Sequence, residues 1–215
     1  MDLRMMENIS SIIQKRLPFR GFFALEPILG ISEEGLRELS GAEKEEFDSF
    51  AHLKRQREYL SSRLLLKKLS GELGVVKGDF RILKDDLGQP YGQDRSQQYY
   101  VSIAHSTEDI FCGITENDAI GVDLEPVDRS VPERLRPRIL HPGENDLFGR
   151  MDLIRLWTIK EAYIKLRGQG LRMNMTHVLV TKGSSDFEVE LNNDKTAKIC
   201  SFQAGNNWLA IAYYQ

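Results

Sequence analysis

The sequence predicts a mixed α/β (α+β) fold in two similar halves, each a small sheet packed against one long helix. Two stretches, at about 52–69 and 152–167, carry apolar residues at the helical repeat. Around them lie short runs rich in Val, Ile, Phe and Tyr, bounded by turn residues, which read as strands. The two helices fall at corresponding places, a coarse duplication that is architectural and not residue by residue.

Residues 3–15 read as a helix, with Leu3, Met6, Ile9, Ile12 and Ile13 on one face. Phe19 to Leu25 reads as a strand. A helical pattern follows from about Glu43 to Leu69, broken near Phe50. Phe80-Arg81-Ile82-Leu83 is a short strand leading to a turn at Gly88 and Pro90. Residues 98–103, 109–115 and 119–125 form three strands with short connections. Arg129 to Arg150 mixes Pro132, Pro137, Pro142 and Gly143 with charges, so short helices and loops are expected, and the greatest mobility. The second long helix covers about Glu144 to Arg167, from the spacing of Leu153, Leu156, Ile159, Ala162, Tyr163 and Leu166, and Gly168 and Gly170 stop it. Four strands close the chain, at 177–182, 186–191, 197–203 and 208–214. The expected division is 1–107 and 108–215.

With 215 residues, 41% hydrophobic and 28% charged, the chain is ample for a core. A net charge of −3 and a pI near 5.9 argue against a nucleic-acid partner bound by bulk charge, while leaving room for a local basic pocket. Cys112 and Cys200 lie far apart in apolar runs and read as reduced core residues. The first eight residues hold no signal-peptide core, and no apolar run approaches a membrane span, so a soluble cytoplasmic protein is expected.

Two segments carry chemistry. In Gly121-Val122-Asp123-Leu124-Glu125-Pro126 the two acids sit at i and i+2 of a strand and share one face, with Val122 and Leu124 turned into a core. Paired carboxylates repel unless neutralised, and oxygen ligands of this kind suit magnesium. A polar strand end facing water fits the same residues. In Trp157-Thr158-Ile159-Lys160-Glu161-Ala162-Tyr163-Ile164-Lys165, the residues Trp157, Glu161 and Lys165 lie on one helical stripe. An ordinary surface ion pair between Glu161 and Lys165 is the bland alternative. Taken together, three carboxylates and a lysine fit attack by an alcohol on phosphorus: Asp123, Glu125 and Glu161 on a metal, Glu161 also taking a proton, and Lys165 neutralising a phosphate oxygen.

In this order, about forty residues apart, the two segments resemble the signature of the 4'-phosphopantetheinyl transferases. Tyr99-Tyr100-Val101-Ser102-Ile103-Ala104-His105-Ser106 is similar to the family's Ser/His element, which implies that His105 contacts coenzyme A phosphates with Ser106 beside it. A histidine capping a strand end fits as well. Ala104 stands where the family often has Ser, which removes one donor. Leu87-Gly88-Gln89-Pro90-Tyr91-Gly92 looks like the family's Gly-Lys-Pro-aromatic turn, placing Gln89 and Pro90 at the coenzyme; Gln89 replaces a cation there, and a Gly-x-Pro turn needs no function. The helix from Leu53 to Leu69 matches the family's basic helix, which implies 3'-phosphate contacts from Lys54, Arg55 and Arg63. A solvated charged face is the alternative. Gly168-Gln169-Gly170-Leu171 also matches, and the resemblance runs from about Ser40 to Leu171.

The resemblance implies the two-half monomeric (Sfp-like) type, with coenzyme A in a cleft between pseudo-symmetric halves. It implies magnesium-dependent transfer of the 4'-phosphopantetheine arm to a serine of an apo carrier protein, releasing adenosine 3',5'-bisphosphate. The short trimeric holo-acyl-carrier-protein synthases are about half as long. A binding-only relative and a magnesium-dependent nucleotide hydrolase are the rival classes.

Overall fold

The computed structural model describes residues 3–76, 78–144, 152–168, 173–183, 186–191 and 195–214. The chain forms two compact units, Met1–Asn117 and Asp118–Gln215.

The first unit runs α1 (Leu3–Gln14), β1 (Gly21–Pro27), α2 (Glu33–Arg37), α3 (Gly41–Ser49), α4 (Leu53–Glu72), β2 (Arg81–Lys84), β3 (Pro90–Gln93), β4 (Gln98–His105) and β5 (Asp109–Thr115). The helical pattern expected at 43–69 is two helices, and its break falls at 50–52. Helix α3 begins with a reciprocal cap, in which Ser40 Oγ accepts from Glu43 N and the Glu43 carboxylate accepts from Ser40 N. Helix α4 lays Leu65, Leu66 and Leu69 on a core of Phe80, Ile82, Tyr99, Val101, Ile110, Cys112 and Ile114. Its earlier turns pack Tyr59 and Leu60 against Leu39 and Phe47. β3 is a strand where the sequence suggests only a turn; Pro90 takes its first position, where a missing N–H costs little.

The second unit runs β6 (Ile120–Pro126), α5 (Arg136–Ile139), α6 (Leu153–Leu166), β7 (Val178–Lys182), β8 (Phe187–Leu191), β9 (Ala197–Ala204) and β10 (Asn207–Tyr214), with 3-10 turns at Glu133–Leu135, Pro142–Glu144 and Met175–His177. Helix α6 starts at Leu153, where the Asp152 carboxylate accepts from Ile154 N. Glu144, expected to open this helix, lies instead in a 3-10 turn. Along α6, Leu156, Ile159, Ala162, Tyr163 and Leu166 join Val178, Val180, Val189, Ile199, Ala210 and Ala212 in one core.

The duplication is topological. The first sheet has the order β1-β5-β4-β3-β2 and the second β6-β10-β9-β8-β7, every pairing antiparallel. Each unit thus pairs its first strand with its last, and each sends its long helix across between its first and second strands. The units meet at 117/118, ten residues beyond the division expected from sequence, because β5 pairs with both β1 and β4. Neither Cys112 nor Cys200 is in a disulfide, and both are buried. Among the described residues no helix is long and apolar enough to cross a membrane.

Candidate active site

In the second unit β6 carries the acidic pair. Val122 and Leu124 are buried, and alternation turns Gly121, Asp123 and Glu125 to the opposite face. Helix α6 covers that face at contact distance. A Cβ on Gly121 would lie 2.0 Å from the Ala162 carbonyl oxygen and 2.4 Å from Leu166 N. Only glycine fits, because the obstacles are backbone atoms. Gly121→Ala is therefore expected to destabilise the protein by about 2–3 kcal/mol, seen as a lowered urea midpoint, since α6 must move outward. An unchanged midpoint would show that β6 and α6 do not pack this closely.

That approach brings Asp123 to α6. Its Oδ1 accepts from Lys165 Nζ at 2.7 Å, and the residue is only 6% exposed. Its Oδ2 is buried with no hydrogen-bond donor. Burial pushes the Asp123 carboxyl up to about 7; Lys165 opposes this, and the charges of Glu161 and Glu125 add to it. Glu161 is raised as well, by burial first, against the pull of Lys165 and with a push from Glu125. Glu125 pairs with Arg129, whose guanidinium lies over the Trp157 ring at 5.6 Å. Trp157 is one helical turn before Glu161, on the stripe the sequence indicates.

The structure thus brings Asp123, Glu125, Glu161 and Lys165 together. Among the described residues no three His, Cys, Asp or Glu side chains are grouped closely enough to form a ready metal site. Lysine and arginine instead hold two of the acids. The donor set nonetheless fits a hard cation: all-oxygen ligands, an acid oxygen with no donor, and carboxylates that disfavour one another's charge.

The same helix carries a buried ion pair that the reading of the two motifs did not single out. Lys160 and Glu144 are both 0% exposed. Lys160 Nζ donates to Glu144 Oε2 at 2.8 Å, to the Ile139 carbonyl at 2.7 Å and to the Met175 carbonyl at 3.1 Å. Glu144 in turn accepts from Val180 N at 2.8 Å and His141 N at 2.7 Å. Burial lowers the Lys160 pKa, and Glu144 opposes the change. The helical repeat did place Lys160 between Leu156 and Tyr163, on the apolar face, which was a legible hint of a buried partner.

In the first unit His105 ends β4, and Ser106 opens the turn to β5. The Ser106 hydroxyl accepts from Asp109 N at 3.0 Å and Glu108 N at 3.3 Å, so it shapes that turn. Lys54 and Arg55, in the first turn of α4, are exposed, and both approach the buried Glu58, which His105 also meets. Arg63 lies elsewhere on α4. It is 4% exposed, 3.7 Å from Glu43 and 3.9 Å from Glu46, and stacked 4.2 Å from the Tyr59 ring centre. Gln89 and Pro90 leave a turn in which Gly88 has a φ of +85° and Asp85 Oδ1 accepts from Leu87 N and Gln89 N. Ala104 is buried. Of the segment at 168–171, Gly168 follows α6 at a φ of +66°, while Gln169, Gly170 and Leu171 lie outside the described residues.

Sequence comparisons show what the chain is similar to. Residues 119–213 match the family model described as the 4'-phosphopantetheinyl transferase superfamily. The chain is 29% identical over 144 residues to 4'-phosphopantetheinyl transferase HetI of Nostoc sp., covering 62% of this chain and 61% of that protein. It is 24% identical to 4'-phosphopantetheinyl transferase gsp of Aneurinibacillus migulanus, covering 65% and 60%, and 27% identical to 4'-phosphopantetheinyl transferase ffp of Bacillus subtilis, covering 81% and 76%. The match thus spans about three fifths of the first two relatives. The matched stretch contains every acid of the cluster together with Lys165, so it is this part of the chain that is similar to the 4'-phosphopantetheinyl transferase superfamily.

Proposed function

We propose that the chain transfers the 4'-phosphopantetheine arm of coenzyme A to a serine hydroxyl of an apo carrier protein, with magnesium, and releases adenosine 3',5'-bisphosphate. The observation that carries this reading is a buried acid, Asp123, with one oxygen on Lys165 and the other without a donor, beside Glu125 and Glu161. The named activity of the relatives supports it.

Asp123, Glu125 and Glu161 would hold the magnesium, which when bound neutralises the pyrophosphate and polarises the phosphorus. Glu161, whose raised pKa suits a proton acceptor, takes the serine proton as the Oγ–P bond forms. The P–O bond to the nucleotide breaks, and Lys165 stabilises the charge that collects on the departing phosphate. Before substrate binds, Lys165 neutralises Asp123 and keeps the site from charging with three bare acids. Lys54, Arg55 and His105 meet the coenzyme's 3'-phosphate, with Arg63 bracing α4 from its buried side.

The test is intact-mass measurement on a panel of apo carrier proteins incubated with the protein, coenzyme A and magnesium. One added phosphopantetheine on a carrier, lost with excess chelator, is the expected result. Coenzyme A cleaved with no carrier present would make the protein a hydrolase. Coenzyme A bound but never transferred would make it a binding protein.

A further inference from the structure

We propose that Glu58 is a positioning residue for the coenzyme's 3'-phosphate, holding Lys54, Arg55 and His105 convergent before the ligand arrives; this rests on the function proposed above. Glu58 is a buried acid in the second turn of α4, and a buried carboxylate is kept only where something compensates its charge. Here three groups do so. Lys54 Nζ lies 3.8 Å away, Arg55 Nη1 3.5 Å and His105 Nδ1 3.5 Å. Lys54 and Arg55 precede Glu58 by four and three residues on one helix, whereas His105 arrives from the end of β4. One carboxylate therefore ties a strand end to a helix start.

The distances are long for hydrogen bonds, so the carboxylate attracts these groups without saturating them. Lys54 and Arg55 remain more than half exposed, with donors left to offer outward. Because His105 turns Nδ1 to Glu58, the shape of the ring turns Nε2 away from it, and the partner on one nitrogen fixes what the other presents. Without Glu58, Lys54 and Arg55 would repel each other and His105 would lose this contact. With it they are preorganised, and a phosphate dianion meets them at a smaller cost in side-chain entropy.

Glu58→Gln separates this reading from plain charge counting. Removing an acid beside an anion site should tighten anion binding if only net charge mattered; loss of positioning should weaken it. By calorimetry, the Kd for adenosine 3',5'-bisphosphate is expected to rise about tenfold in Glu58→Gln, and that for adenosine 5'-monophosphate less than twofold. In turnover the loss falls on the KM for coenzyme A and spares that for dephospho-coenzyme A, while Glu58→Asp restores part of it. Should Glu58→Gln fail to fold, the same ligand ratio is read on Glu58→Asp. Tighter bisphosphate binding in the variant, or an equal loss on both nucleotides, overturns the proposal, as does a wild-type protein that binds the two equally. A wild-type protein that prefers the bisphosphate but transfers nothing sinks the transfer reading, and the variant's binding ratio still decides the role of Glu58.

Discussion

Asp123→Asn is expected to lower kcat for phosphopantetheine transfer by on the order of a thousandfold while leaving the melting temperature equal or higher. The two halves of this expectation have one cause. Asp123 is 6% exposed, one of its oxygens has no donor, and the charges of Glu125 and Glu161 press on it. An ionised carboxylate in that position costs the fold free energy, and a buried polar atom without a partner costs about 1–3 kcal/mol. Asparagine keeps the shape, still accepts from Lys165 and turns an amide donor toward the neighbouring acids. It gives up the charge that a divalent cation requires. Parallel calorimetry and initial-rate measurements, with circular dichroism as the check on folding, test both halves. Near-normal turnover would remove Asp123 from the site. Lost turnover with a melting temperature lower by 10 °C or more, about 3 kcal/mol or above for a chain of this length, would make its role structural.

Much of the fold was legible because its signals are local. The strands at 98–103, 109–115 and 208–214 follow a pattern of runs and turns that burial preserves, and each lies within an observed strand. Sheet order was not legible. Nothing in the runs themselves says that the first strand of each unit pairs with the last, because that pairing is closed by long-range contacts. Nor was the place where the units divide, since β5 looks alike whichever sheet it joins. Glu144 shows a different limit. It lies in the apparent lead-in to α6, where its charge suits a first helical turn, but its carboxylate is committed to Lys160, Val180 N and His141 N.

For the site, the sequence supplied residue types and a shared face, and the structure supplied their states. Spacing indicated that Asp123 and Glu125 lie together. It carried no sign that α6 buries Asp123, because that depends on Gly121 meeting the backbone at Ala162 and Leu166. Arg63 shows the same gap: the resemblance implies that it meets the 3'-phosphate with Lys54 and Arg55, yet the acids of α3 and the Tyr59 ring enclose it. A charge run on a helix says which residues share a stripe, not which neighbour covers it.

Lys160→Met is expected to be the most destabilising of these changes, by about 3–5 kcal/mol and thus by about 10 °C or more in melting temperature. The reason is what remains. Lysine's methylene stem and methionine fill similar space, so little packing is lost. Glu144, however, is left 0% exposed with its charge uncompensated, and the Ile139 and Met175 carbonyls lose a donor. Adding Glu144→Gln should recover most of the loss, to within about 1–2 kcal/mol of wild type. The amide removes the uncompensated charge; its oxygen still accepts from one of the backbone N–H groups of His141 and Val180, although its NH2 then meets the other. Denaturant titration of both variants separates the contributions. A double variant as unstable as the single would place the stability in the lysine's bonds to backbone carbonyls. A harmless single variant would mean that the interior around α6 admits water to Glu144. The expected pattern instead makes this pair the fixed point that sets the rotation of α6, and the same helix presents Glu161 and Lys165 to Asp123.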